Sequence, residues 1–128
     1  MSPVPTRWRT AFQDQLSEAR RRLKTAEQQI AAGDGGRALQ AAYPAVVSAA
    51  TLRVWLEFPP WQKTVPPDEM QRKVREAFPS RFAALAVLDL RDVLTSPWTA
   101  AAAGPYVTEA RAFVDQAEGL LETWLAQA

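Results

Sequence analysis

From Asp34 to Phe58 the chain reads DGGRALQAAYPAVVSAATLRVWLEF, and from Ala38 to Leu56 almost every position is apolar. The polar exceptions Arg37, Gln40, Ser48 and Thr51 fall 3, 8 and 3 residues apart, so on a helix they share one narrow stripe. A helix that is apolar nearly all round is stable only when other elements enclose it. This stretch therefore predicts a central helix near 35–57 with the rest of the chain wrapped around it. Gly33 and Asp34 precede it as a left-handed cap and an N-cap, and Pro59-Pro60 ends it. Gly35-Gly36 lacks the lysine and hydroxyl of a phosphate loop and reads as turn chemistry.

A second periodicity lies upstream. Trp8, Phe12, Leu16, Ala19, Leu23, Ala26 and Ile30 are spaced 4, 4, 3, 4, 3 and 4 apart, a single seam on a helix over 6–32. Met1–Pro5 reads as a loose lead-in. The short Gly-Asp connection makes the first two helices an antiparallel hairpin. Pro44 lies inside the second helix and is expected to kink it there and free the Gln40 carbonyl, on the polar stripe where water reaches it. Tyr43 points to the apolar side and needs a partner for its hydroxyl.

Residues 59–67 form a proline-rich, extended linker. Trp61 within it either covers the end of the core, the favoured reading, or meets a partner. Pro67, Asp68 and Glu69 start a third helix over 67–78, with Met70, Val74 and Phe78 inward. A fourth runs over 81–94 from Ser80 as N-cap, with Phe82, Leu85, Ala86, Leu88, Val93 and Leu94 buried. Pro105 opens the last, over 105–126. Its seam is Val107, Ala110, Val114, Ala117, Leu121 and Trp124, and Gly119 within it implies close approach by another helix. The expected fold is all-α, an up-and-down helical bundle of about five helices in one domain, 1–128.

Charge patterning adds one tertiary expectation. Residues 1–32 carry six basic and three acidic groups, net +3, whereas from Gly104 onward Arg111 faces Glu109, Asp115, Glu118 and Glu122, net −3. Opposite charge favours pairing of the first helix with the last over self-pairing of either. The densest basic cluster is Arg20, Arg21, Arg22 and Lys24. It reads first as a solvated helix face; nucleic acid and a partner's acidic surface are the other readings.

Composition narrows the chemistry. The chain of 128 residues has a net charge of +1, no cysteine and no histidine. Thiolate and disulfide chemistry are excluded, a zinc site is not expected, and the commonest general base near neutral pH is missing. No cofactor, no metal and no membrane partner are expected. The start MSPVPTRWRT has no signal-like apolar run, and the expected location is cytoplasmic.

The order of elements, with Gly33-Asp34 followed by Arg37-Ala38-Leu39 and Ala41-Ala42-Tyr43-Pro44-Ala45-Val46, resembles the HEPN superfamily of small helical bundles. Leu90-Arg91-Asp92-Val93-Leu94-Thr95-Ser96-Pro97-Trp98 is similar to that family's Arg-polar-x3-His motif, often followed by Tyr. Arg91 and Asp92 fit its first two positions, while Ser96 stands in place of the histidine and Trp98 in place of the tyrosine. In catalytic members Arg and His act together on an RNA phosphodiester. Ser96 is a poor general acid or base, so the resemblance implies a non-catalytic relative with Arg91, Asp92, Ser96 and Trp98 as a degenerate binding motif. It further implies a homodimer and a protein partner such as a small nucleotidyltransferase. Trp8, Trp61, Trp98 and Trp124 suit an interface as well as a core. The alternatives are an RNA-binding protein or residual ribonuclease using Arg91 with the basic first helix, and a small helical subunit of a nucleoprotein assembly.

Overall fold

Three long helices enclose one another, and three short ones bridge two of them. A computed structural model describes residues 5–127; all but Pro5 of the expected lead-in lies outside that range. The helices are α1 (Thr6–Ala31), α2 (Gly35–Glu57), α3 (Pro67–Glu76), α4 (Ser80–Ala86), α5 (Leu90–Thr95) and α6 (Ala100–Gln127). No strand occurs among the described residues, and the chain is an all-α helical bundle.

α2 is the centre, as its composition requires. It buries Ala38, Leu39, Ala42, Ala45, Val46, Ala49, Ala50, Leu52 and Val54. α1 covers it with Phe12, Ala19, Leu23 and Ala26, and α6 with Val107, Ala110, Phe113, Val114, Ala117 and Leu121. Among the described residues, ten of the 23 buried apolar ones are alanine. Small side chains at the contacts let helix backbones approach closely, so larger substitutes there overpack. Arg53, one more break in the apolar run of α2, reaches out to Gln116 on α6 and lies 5.1 Å from the centre of the Phe113 ring. α2 runs unbroken through Pro44, and both Pro44 and Gln40 have access to solvent.

Asp34 caps α2 by accepting the Arg37 N–H at 3.0 Å, and Gly33 makes the preceding turn at φ 81°. This hairpin sets α1 antiparallel to α2. α1 and α6 are also antiparallel neighbours, as their charges imply. Arg20 bridges to Asp115 and Glu118, and Arg111 donates to both carboxylate oxygens of Glu27 at 2.7 and 2.8 Å. α6 therefore runs parallel to α2, and the segment from Phe58 to Thr99 carries the chain back along the bundle.

One end of the bundle is closed by aromatic rings. Phe12 is fully buried, with the rings of Trp8, Trp55, Trp61 and Trp124 between 5.2 and 6.4 Å from its own. Trp61 thus covers the core, and Trp8 and Trp124 belong to the same plug. The indole N–H groups of Trp8 and Trp61 are buried and find no acceptor among the described residues. An orphaned donor costs about 1–3 kcal/mol. The seven ring pairs of the plug, at about 0.5–1.5 kcal/mol each beyond area burial, are of the size that offsets two such costs.

Five sequence expectations change. The helix expected over 81–94 is two. Asp89 caps α5 by accepting the Arg91 N–H at 3.1 Å, and a short carboxylate that bonds the local backbone competes with helix continuation. Leu88, expected inside, is 57 % exposed in the turn, beside Val87 at 83 %. Ser80 is the first residue of α4 rather than its cap, and its hydroxyl donates to Glu109 at 3.0 Å. The last helix begins at Ala100, before Pro105. Thr99 caps it by accepting the Ala102 N–H, and four alanines carry it into the exposed proline. Lastly, nothing lies within 4 Å of a methyl built on Gly119, so no helix approaches there.

The close approach is at Gly35 instead. A Cβ at Gly35 would lie 2.2 Å from the Thr99 carbonyl oxygen and 2.6 Å from that of Trp98. Gly35→Ala is expected to lower unfolding free energy by about 1–3 kcal/mol through this backbone clash. Gly119→Ala is expected to raise it by about 0.5–1 kcal/mol, because it replaces glycine within a helix at an open position. Urea unfolding of the two variants beside the parent chain checks both signs.

Candidate functional site

The structure brings together the two segments that carry the family resemblance. The Gly33–Arg37 turn starts α2 at the end of the bundle opposite the aromatic plug. Gly35 touches the backbone of Trp98 and Thr99, a Cβ at Gly36 would stand 4.0 Å from the Ser96 carbonyl oxygen, and the Gln40 carboxamide donates to the Leu94 carbonyl at 3.0 Å. The α5 segment is thereby held against the first turns of α2.

Within that segment the four motif residues have different surroundings. The Arg91 side chain is exposed and makes no ion pair among the described residues, with Asp92 or any other acid. Asp92 is also exposed, and its backbone carbonyl accepts the Ser96 hydroxyl at 2.6 Å. The Ser96 hydroxyl is thus directed at its own helix end. Trp98 is half-buried: its indole N–H donates to the Val93 carbonyl at 2.8 Å, and its ring meets Tyr106 edge-on at 5.3 Å. Trp98 fastens α5 to α6. Arg91, Asp92 and Ser96 are exposed and Trp98 is half-buried, on a surface segment, here the α5 ridge, that begins at an exposed tip of Val87 and Leu88.

That tip is what sequence reasoning missed. Leu85 to Leu88 continues an apolar run, so it reads as buried helix. The signal that separates it is Asp89 before Leu90, an N-cap pattern at the start of α5. Two adjacent aliphatic side chains beside Asp89, Arg91 and Asp92 make a small amphipathic surface.

The basic cluster on α1 is engaged within the molecule. Arg20 is held by Asp115 and Glu118 across the α1–α6 seam; burial opposes its charge, but those two carboxylates overcome it and raise its pKa. Arg21 and Arg22 both bind Glu18 on the preceding turn, with Nε and guanidinium nitrogens 2.6–3.1 Å from its oxygens. Lys24 is exposed. The hydrogen bonds from Arg21 and then Arg22 hold the Glu18 carboxyl at about 2. Tyr43 packs against the Phe78 and Phe82 rings at 5.8 and 6.3 Å, and burial raises its pKa against a smaller opposing effect of Arg75. Among the described residues no polar or charged side chain is buried, no group of three His, Cys, Asp or Glu side chains is placed to hold a metal, and no helix is long and apolar enough to cross a membrane.

The Glu18 arrangement has a measurable consequence. A depressed carboxylate pKa contributes stability in full above the ordinary value of 4.5 and loses it as pH falls toward about 2. In a carboxyl NMR titration Glu18 is expected to remain ionised to near pH 2, and the Arg21→Ala/Arg22→Ala variant to return its midpoint toward 4.5. An ordinary midpoint in the parent chain would mean that these pairs do not persist in water.

Comparison with protein-family models, with curated proteins and with solved structures finds no match to this chain.

Proposed function

We propose that this chain is a non-catalytic helical binding module that acts through a protein partner, docking by the ridge from Val87 to Trp98. The observation that carries this reading is the pair Val87 and Leu88, 83 % and 57 % exposed at the tip of that ridge. Two adjacent solvent-facing aliphatic side chains form a small contiguous apolar patch, which a partner would remove from water. The turn is fixed from both sides, by Phe82 and Leu85 buried in the core and by Trp98 on Tyr106. Such support lets the ridge present one shape to a partner at little ordering cost.

HEPN-like character belongs to the same proposal. It rests on the motif residues and on their meeting at one end of the bundle, and it brings with it homodimerisation and a nucleotidyltransferase as the first partner class to test. Ser96 in place of histidine removes the proton carrier from that motif, and its hydroxyl is directed at a backbone carbonyl. An RNA-binding reading draws least support. Three of the four residues of the basic cluster already have carboxylate partners, and pulling them toward phosphate would mean breaking those pairs.

The test is a tagged pull-down from the native cell with the parent chain and with Val87→Asp/Leu88→Asp. Both positions are exposed, so the double variant is expected to keep its unfolding free energy within about 0.5 kcal/mol and to lose the stoichiometric partner. Retention of the partner by that variant would refute docking through this ridge. Recovery of RNA without protein would favour the nucleic-acid reading. Arg91→Ala is expected to leave ribonuclease activity unchanged at background; metal-independent cleavage that disappears in this variant would overturn the non-catalytic assignment.

A further inference from the structure

We infer that α3 is a strap that undocks from the bundle as a unit while α1, α2 and α6 stay folded. α3 is ten residues long and buries none of them. Its stabilisation is largely internal. Pro67 stands in its first turn with Asp68 and Glu69, and Lys73 and Arg75 stand in its last, so both ends suit the helix dipole. Arg72 pairs with Glu69 and Glu76 at 4.0 and 3.7 Å, and Lys73 pairs with Glu69 at 3.9 Å, all within the helix. Among the described residues, no hydrogen bond or ion pair joins α3 to another helix.

What holds it down is a short set of contacts. Lys73 Nζ lies 3.9 Å above the Phe58 ring, and Val74 rests against the core. A cavity runs along each side of this ridge of contact. One, of about 600 Å³, lies between α3 and the ends of α2 and α6, and is lined by Val54, Phe58, Lys73, Ala77, Leu120 and Trp124 among others. The other, of about 280 Å³, lies between Met70, Val74 and Phe78 on one wall and Tyr43, Val47 and Thr51 on the other.

The flanks favour motion of the whole segment. Trp61 is anchored in the aromatic plug and Phe78 is buried against Tyr43. Between these two fixed points Gln62, Lys63 and Thr64 are exposed, and Pro66-Pro67 stiffens the entry to the helix. The Gln62 and Lys63 N–H groups donate to the Pro59 carbonyl in a turn, so bending is concentrated at 64–65 and at Ala77. Lifting α3 joins the two cavities into one trough on α2 along Val47, Thr51, Val54 and Phe58, spaced 4, 3 and 4 apart, a single helical face. Low-stability units of this kind have few buried contacts and open separately from the core. This inference does not depend on the partner reading, because the ridge at Val87 is a different surface.

Hydrogen exchange on the whole chain in increasing urea tests it. Amides of 70–76 are expected to exchange at least about a hundredfold faster than those of 45–54, by an opening that depends little on urea. The same protection and urea dependence in both segments would mean that α3 opens only when the molecule unfolds, and would overturn the inference. Because the chain has no cysteine, a second readout is direct. The thiol of Val54→Cys, under α3, is expected to react with a maleimide at least about tenfold faster than that of Ala49→Cys, buried elsewhere on α2. Equal rates would also overturn it. Lys73→Ala/Val74→Ala should speed exchange in α3 several-fold and leave α2 unchanged; an equal rise in α2 would place both helices in one cooperative unit.

Discussion

The apolar surface of α2 must be enclosed on every side except one stripe, and most of the architecture follows from that. α1 takes one flank through the short Gly-Asp turn, and α6 takes another. Alanine at the contacts brings the three helices close, which concentrates dispersion contacts where few side-chain rotamers need to be fixed. The third side receives only short elements. α6 runs parallel to α2, so the chain must travel back along the bundle between them, and α3, α4 and α5 are that return path. Their unequal hold on α2 follows: α4 buries Phe82 and Leu85, whereas α3 only rests on the core through partly buried side chains such as Val74.

The two ends of the bundle have been closed by different means. At one end Phe12 and four tryptophans form a plug that tolerates two unpaired indole donors because ring packing supplies the compensation. At the other end backbone meets backbone at Gly35 and Thr99, and side-chain caps from Asp34 and Thr99 satisfy the helix starts. Little apolar material is left to cover the α4–α5 turn there, and Val87 and Leu88 stay in water. The end that is sealed by backbone contact is thus the one that offers a surface, and the tryptophans that look like interface residues in the sequence are spent on the opposite end and on fastening α5.

α1 and α2 were legible because each shows a complete periodic pattern and clear stops: the seam of α1 with Gly33, and the apolar run of α2 with Asp34 before it and Pro59 after it. The pairing of α1 with α6 was legible from opposite net charge and an apolar seam on each; Arg20 with Asp115 and Glu118 follows those net signs, whereas Arg111 with Glu27 runs against them. Local signals failed where two of them competed. Apolar Val87 and Leu88 continue the pattern of α4, but the Asp89 cap wins because its carboxylate bonds the Arg91 N–H directly. Pro105 looks like a helix start, but Thr99 and four alanines start the helix earlier. Gly35 and Gly119 show the opposite limit: both are glycines beside good helix formers, and only the three-dimensional placement of Thr99 tells which one cannot bear a methyl group.

The placement of the cations also separates the two ways in which such a bundle can recognise a partner. A basic face attracts nucleic acid when its arginines stand free to release counterions on phosphate contact. On α1, Arg20 is tied across the seam and Arg21 and Arg22 share Glu18, so much of the positive field of that face is cancelled at short range. At the α5 ridge Arg91 stands between Asp89 and Asp92, again with little net charge. Neither surface is organised around a single sign. On the proposed docking reading, recognition at the ridge would rest on the shape and aliphatic area of Val87 and Leu88, with Arg91 and its acidic neighbours orienting the contact. The proposed docking role asks for such a mixed-charge, partly aliphatic surface, whereas phosphate binding asks for unpaired cations of one sign.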